Sequence, residues 1–210
     1  MSAAEGFTPS PWLESPARRA LDVVLALAAL ALTGPFLAFA ALVIRLESRG
    51  HPIYRQRRVG KDGAPFEVNK LRTMVTGAEF MGAGLAVDAG DERITRFGAM
   101  LRRTSLDELP NLLNVLRGEM AIIGPRPTVQ IQVDRYTDRQ KLRLRTRPGI
   151  TGWAQINGRA SLPWHERIEL DIWYLEHASP WLDLRILVIT LWMAVTGRGL
   201  YRGETGGWRQ

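Results

Sequence analysis

Asp107 and Glu108 set two carboxylates side by side in Ser105-Leu-Asp-Glu-Leu-Pro110. Basic residues close around them, with Arg102 and Arg103 before and Arg117 and Arg126 after. At the start of a helix such a pair lies among unpaired backbone N–H groups, which stabilise anions. Taken alone, adjacent acids are equally well explained as helix-end electrostatics. Their setting favours chemistry. Hard carboxylate oxygens suit Mg²⁺, arginine forks suit phosphate, and a basic surface around one compact acidic pair suits a phosphorylated substrate and a lipid phosphate.

Composition removes other chemistries. The 210 residues hold 28 Lys+Arg against 21 Asp+Glu, a formal charge of +7, and no cysteine. Without cysteine there is no disulfide framework, thiolate zinc site, iron–sulfur cluster or thiol nucleophile. His51, His165 and His177 are too scattered for a local zinc spacing. Length allows one domain with an appendage.

The elements that must position the acidic pair begin with a membrane segment. Val23 to Ile44 runs 22 residues without a charge, just beyond the roughly 20 that a helix needs to cross a bilayer core. A cleaved signal peptide fits poorly, because the stretch exceeds a usual apolar signal region and continues into arginines. Arg18 and Arg19 precede it; Arg45, Arg49, Arg55, Arg57, Arg58 and Lys61 follow. The positive-inside rule therefore draws both ends to the cytoplasmic side. Gly34 and Pro35, at the midpoint, can kink the helix into two halves that dip into one leaflet and return. An ordinary, slightly kinked spanning helix is the alternative.

Beyond this anchor, Ile53-Tyr54 and Phe66–Val68 read as a hairpin about a Gly60–Gly63 turn. Gly77 to Gly90 reads as a connection or lid. Ile94–Arg103 and Leu106–Leu116 have helical spacing, with Ser105 as cap of the second and Pro110 near its start. Met120–Ile123 is a short apolar run before Gly124-Pro-Arg-Pro127, read either as a rigid turn that aims Arg126 or as prolines that simply break two helices. Helical spacing resumes from Val129 to Leu144, and Trp164–His177 is a further helix. Leu182–Val195 is interfacial or a buried core helix; Trp181 and Trp192 suit the headgroup region.

The run Thr104-Ser-Leu-Asp-Glu-Leu-Pro-Asn-Leu-Leu-Asn-Val-Leu-Arg-Gly-Glu-Met120, followed by Ile123-Gly-Pro-Arg-Pro127, closely resembles the signature of the bacterial sugar transferases, the small monotopic polyprenyl-phosphate phosphoglycosyl transferases. The resemblance extends through Arg19-Ala-Leu-Asp22, Tyr54-Arg-Gln-Arg-Arg-Val-Gly60, Lys70-Leu-Arg-Thr-Met74, Asp91-Glu-Arg-Ile-Thr95, Arg147-Pro-Gly-Ile-Thr-Gly-Trp-Ala-Gln155 and Asp171-Ile-Trp-Tyr174. It covers roughly Arg18 to Thr196. Two departures are Gly34-Pro35, where a Ser-Pro-like kink is usual, and Leu71, where an aromatic is common. Thr33 offers a substitute hydroxyl. The extra N-terminal membrane block and central domain of larger relatives are not in this sequence, so it resembles the minimal catalytic form.

The resemblance implies a mostly helical α/β monotopic membrane protein with a kinked re-entrant helix, interfacial amphipathic helices and a small cytoplasmic catalytic domain. Its organisation would be a tail at 1–17, an anchor at 18–49, a catalytic domain at 50–197 and a tail at 198–210. The implied reaction moves a sugar 1-phosphate from a UDP-sugar to undecaprenyl phosphate at the bacterial inner membrane, releasing UMP. Asp107 would be the nucleophile and Glu108 a ligand of Mg²⁺, for which Mn²⁺ could substitute, with Asp107 close to the same ion. Contacts to diphosphate, lipid phosphate or the acidic pair itself would come from Arg72, Arg93, Arg126 and Arg147, with Lys70 and Arg96 next; Thr151 and Trp153 would recognise nucleotide or sugar, with packing of Trp153 into the core as the alternative. An ionised Asp needs positioning against anionic repulsion rather than deprotonation. Membrane phospholipids and downstream glycosyltransferases would be partners. Direct single displacement, with Asp107 only holding metal or acceptor, stays open within this reading. A basic nucleic-acid binder and a silent membrane scaffold account for the charge or the apolar faces, but not for the motif series.

Overall fold

The computed structural model describes residues 6–81, 91–158 and 162–196. A 3-10 turn at Pro11–Glu14 precedes helix α1, Pro16–Glu47. Ser15 caps α1 by accepting from the Arg18 amide, and Pro16 opens the helix, where its missing N–H costs nothing. The two half-helices read from the sequence form one continuous helix of 32 residues across Gly34-Pro35. Thr33 Oγ1 donates to the Ala29 carbonyl at 2.7 Å, the back-bonding that takes up a carbonyl within the helix. The helix is long and apolar enough to cross a membrane.

Burial on α1 is confined to its ends. Arg18, Asp22 and Ala26 are buried near the start, Ala40 and Ile44 near the finish, and nothing between them is buried. At the C-terminal end Ala40 and Ile44 pack with Leu71 and Leu101.

Strands β1, Ile53–Val59, and β2, Pro65–Leu71, form the antiparallel hairpin, running from Ile53 opposite Leu71 to Val59 opposite Pro65. It is longer than its apolar pieces suggested, because Arg55, Gln56, Arg57 and Arg58 belong to the strand. After it come α2, Arg96–Thr104, a 3-10 segment at Leu106–Asn111, and α3, Leu112–Arg117. The single helix expected over 106–116 is thus divided. Pro110 has no N–H to return to Leu106, and the turn before it tightens to 3-10 geometry. Ser105 does not cap it with its side chain; at φ 57 it is the left-handed residue that ends α2.

Strand β3, Ala121–Ile123, later pairs in parallel with β4, Gly149–Thr151. Between them lie α4, Gln130–Val133, α5, Asp138–Lys141, and a 3-10 turn at Leu142–Arg145. The continuous helix expected here is broken because Thr137 and Gln140 form a reciprocal capping box that starts α5 afresh. The chain closes with α6, Trp153–Ile156, α7, Trp164–His177, and α8, Pro180–Thr196. The expectation for Gly77–Gly90 falls mostly outside the described residues, apart from a 3-10 turn at Ala78–Phe80, and the tail at 198–210 lies wholly outside them.

The main core joins Phe66 and Val68 of the hairpin to Leu112 and Val115 of α3, Ile122 and Ile123 of β3, Tyr174 of α7 and Ile186 of α8. The base of α1 is locked into it by polar groups. Arg18 donates through Nε to Asp183 Oδ2 at 3.2 Å and through Nη2 to the Ile123 carbonyl at 2.5 Å, while Asp22 Oδ1 accepts from the Ile122 amide at 2.9 Å. Arg19 donates to the carbonyls of Val115 and Leu116, satisfying the end of α3. The segment before α1 is tied to the same hub, since Trp12 Nε1 donates to Asp183 Oδ2 at 2.8 Å.

Candidate active site

Three elements meet at Glu108. The 3-10 segment carries the acidic pair, β2 brings Lys70, and the turn after β3 brings Arg126. Glu108 Oε1 accepts from Lys70 Nζ at 2.7 Å and from Arg126 Nη2 at 2.7 Å, with Arg126 Nη1 3.4 Å from Oε2. Burial would raise the Glu108 pKa, but the charges of Arg126 and Lys70 and their hydrogen bonds outweigh it and hold the carboxyl well below its usual range. Asp107 behaves oppositely. Its residue is 9% exposed, and burial, followed by the Glu108 charge, pushes its pKa up to about 6 against Lys70, Arg102 and Arg126. Among the described residues, none hydrogen-bonds the Asp107 carboxylate. Two neighbouring carboxylates are therefore set apart by environment: one a clamped anion, the other a buried carboxyl that accepts no hydrogen bond among the described residues. The expectation of an Asp107 already ionised near neutrality holds with a narrower margin, because burial brings its titration up to about 6.

The Gly124–Thr128 turn is fixed at successive carbonyls. Gly149 N donates to Pro125 O at 2.9 Å, Arg143 Nη2 to Arg126 O at 3.1 Å, and Val59 N to Thr128 O at 2.9 Å. Such a frame holds the Arg126 backbone while leaving its side chain 54% exposed to reach Glu108. The frame depends on close backbone approach. A Cβ at Gly149 would overlap the Gly124 nitrogen, and one at Gly152 would overlap the Gly124 carbonyl.

Lys70 is positioned from beneath by asparagines. Asn111 Oδ1 accepts from the Asn69 amide at 2.9 Å, and Asn69 Nδ2 donates to Asn114 Oδ1 at 2.9 Å. Asn114 Nδ2 in turn donates to Glu119 Oε2 at 2.7 Å. This network crosses from β2 to the acidic segment and sets the register in which Lys70 faces Glu108.

A cleft opens beside the pair, lined by Arg58, Lys70, Glu108, Asn111, Arg126 and Ile150. Of the residues singled out from the sequence, Glu108, Lys70 and Arg126 come together here, and Asp107, next to Glu108, feels the charges of Lys70 and Arg126. The others are placed elsewhere. Arg72 is buried and donates to the carbonyls of Ser48 and Arg49, closing the C-terminal end of α1. Arg93 pairs with Asp91 at 2.6 Å and donates to the carbonyls of Ala78 and Met81. Arg96 is exposed in the first turn of α2, and Arg147 is half-buried. Thr151 Oγ1 bonds Thr190 Oγ1 at 2.7 Å, and Trp153 stacks on Trp173 with centroids 5.0 Å apart. Arg58 and Asn111 were not anticipated. Strand alternation offered a signal for Arg58, since Tyr54, Gln56 and Arg58 share one face of β1 while Arg55 and Arg57 are exposed on the other.

No group of three or more acidic or histidine side chains is clustered for a metal among the described residues. The Asp107 and Glu108 oxygens still fit Mg²⁺, which usually takes one or two carboxylates and completes its shell with water and substrate phosphate.

The chain matches the family model described as bacterial sugar transferase over residues 13–197. A UDP-glucose:undecaprenyl-phosphate glucose-1-phosphate transferase of Caulobacter vibrioides is 43% identical over 192 residues, 88% of this chain and 72% of that protein. The uncharacterized sugar transferase EpsL of Bacillus subtilis is 38% identical over 183 residues, 87% of this chain and 89% of that protein. A UDP-N-acetylgalactosamine-undecaprenyl-phosphate N-acetylgalactosaminephosphotransferase of Aeromonas hydrophila is 40% identical over 189 residues, 87% of this chain but 44% of that protein.

Proposed function

The chain belongs to the bacterial sugar transferase family, and from that premise we propose that it transfers a sugar 1-phosphate from a UDP-sugar to undecaprenyl phosphate. Asp107 attacks the phosphorus that bears the sugar, the bond to the uridine-bearing phosphate breaks, and UMP leaves. The lipid phosphate then attacks the same phosphorus, forms the diphosphate-linked sugar and restores the Asp107 carboxylate. The observation that carries this reading is the contrast within the acidic pair: a buried Asp107 carboxylate with no hydrogen bond, beside a Glu108 fixed by Lys70 and Arg126. Splitting the transfer in two lets one carboxylate serve both halves. Glu108 and Asp107 would hold Mg²⁺, which lowers the repulsion between carboxylate and diphosphate. Arg126, held beside Glu108, would offset charge on the departing phosphate.

In this reading residues 18–49 anchor a cytoplasmic catalytic domain of residues 50–197 to the inner membrane, flanked by tails at 1–17 and 198–210. An anchor that enters and leaves from one face is supported by both ends of α1 resting on one domain, through Arg18 and Arg19 at its start and through Arg72 at Ser48 and Arg49; re-entry would require the continuous helix to bend at Gly34-Pro35 in the membrane. A helix crossing about 30 Å of hydrocarbon would carry one end away. The chain has no cysteine of its own, so Glu14→Cys and His51→Cys report topology directly. Both are expected to react with an impermeant maleimide from the cytoplasmic face, and labelling of position 14 from the opposite face would indicate spanning. Exposed Trp181, Leu184, Val188, Leu191 and Trp192 give α8 its interfacial face. The lipid-linked product would pass to downstream glycosyltransferases of exopolysaccharide or O-antigen assembly.

The reading is tested by UMP release from UDP-glucose, UDP-galactose and UDP-N-acetylgalactosamine with undecaprenyl phosphate present. Release should require both substrates, stop with EDTA and return with Mg²⁺ or Mn²⁺. No release from a wider donor panel would overturn it. Gly149→Ala is expected to lower kcat/KM by about 10²-fold, because it displaces the turn that presents Arg126.

A further inference from the structure

The cleft beside Glu108 contains a cation that the reaction as derived does not use. Arg58 reaches it from the last turn-proximal positions of β1, and its guanidinium has two hydrogen bonds. Nη2 donates to Gln56 Oε1 at 2.5 Å and Nη1 to Pro127 O at 3.4 Å, the second being long. Its Nε is buried without a partner. Arg72 and Arg143 share such an Nε, but Arg143 faces Asp171, as Arg18 faces Asp183 and Arg93 faces Asp91. Arg72 is occupied by the end of α1. Arg58 forms no salt bridge among the described residues; burial and then the Arg126 charge work against its cation, with Tyr54 and Glu108 acting in its favour.

An enclosed guanidinium with idle donors is costly unless something completes it. Lys70 and Arg126 are already drawn to Glu108, so the cleft has three cations around that one clamped carboxylate, with Asp107 next to it. Its chemistry calls for a further anion with several oxygens, and the planar Arg fork matches phosphate. We propose that Arg58 is a phosphate-binding residue of this cleft, donating through its idle Nη protons to a phosphate of one of the two substrates. The assignment rests on the reaction proposed above, and it adds a residue outside the expected set. The phosphate belongs either to the diphosphate of the nucleotide sugar or to the lipid acceptor, and these share the chemistry that Arg58 recognises.

Steady-state UMP release by Arg58→Gln, with each substrate varied in turn, separates the two. A rise of about tenfold or more in one KM is expected, the factor that one charged hydrogen bond supplies. A rise for the UDP-sugar assigns the donor diphosphate, and a rise for undecaprenyl phosphate assigns the acceptor. Both KM values within twofold of wild type, in a variant that melts like wild type, would overturn the proposal. Should Arg58→Gln fail to fold, Arg58→Lys is read by the same criteria, because it keeps the charge and loses the fork. Absence of UMP release by the wild-type protein would sink the reaction instead. Equilibrium binding of inorganic pyrophosphate then decides for Arg58: tenfold weaker binding to the variant supports it, and equal binding refutes it.

Discussion

Asp107→Asn is expected to lower transfer by about 10³-fold or more while leaving the protein folded, since removing a covalent nucleophile typically costs at least that much. The substitution is nearly isosteric and removes an ionisable group from a buried position. Its effect on stability has a definite sign. The folded state holds the Asp107 proton up to about pH 6, whereas an ordinary carboxyl releases it near 4. Folding is therefore unpenalised where both states are protonated, and the penalty grows as pH rises through that interval and is complete above it. In Mg²⁺-free buffer at neutral pH, Asp107→Asn should melt a few degrees above wild type, and the gap should close as pH falls toward about 4. Glu108→Gln should behave differently, losing activity and stability together, because Lys70 and Arg126 would be left facing each other without their anion.

The largest loss of stability is expected from Arg143→Met. Arg143 and Asp171 are paired at 2.5 Å with both side chains 3% exposed. Arg143 also donates to Tyr136 Oη at 2.7 Å and to the Arg126 carbonyl at 3.1 Å. Removing one partner leaves the other charge buried and alone, which costs about 3–5 kcal/mol. Thermal melting should fall by roughly 10 °C at this chain length. The double variant Arg143→Met, Asp171→Leu should recover much of the loss, because no buried charge remains. Its activity should not recover, since the Arg126 carbonyl has still lost the donor that fixes the turn. Equal melting of the single and double variants would contradict this account of the pair.

The acidic pair, the hairpin and the bounds of α7 could be read from residue type and spacing, and Lys70 and Arg126 from the family motifs that hold them. Each is set by local chemistry or by an ordered motif. What escaped were properties that depend on distant partners. Arg58, Arg72 and Arg93 look alike as arginines in a basic chain. One lines the cleft, one closes the end of α1 and one pairs with Asp91, and only the packing of α1 against the hairpin and α2 separates them. Local signals also competed. Ser105 reads as a cap by type, yet the left-handed residue between α2 and Leu106 satisfies the preceding helix instead. Thr137 and Gln140 interrupt a helical periodicity that by itself predicts continuity. The asparagines beneath Lys70 carry no such pattern, because a buried polar network is defined by its partners and not by spacing.

Intact mass after incubation with Mg²⁺ and a panel of UDP-sugars, without lipid acceptor, tests the covalent role of Asp107 most directly. Wild-type protein is expected to gain the mass of one sugar phosphate with a usable donor and Asp107→Asn to gain nothing, and undecaprenyl phosphate is expected to discharge the adduct. An unmodified wild-type protein that nevertheless releases UMP once the acceptor is added would contradict that role and establish direct displacement.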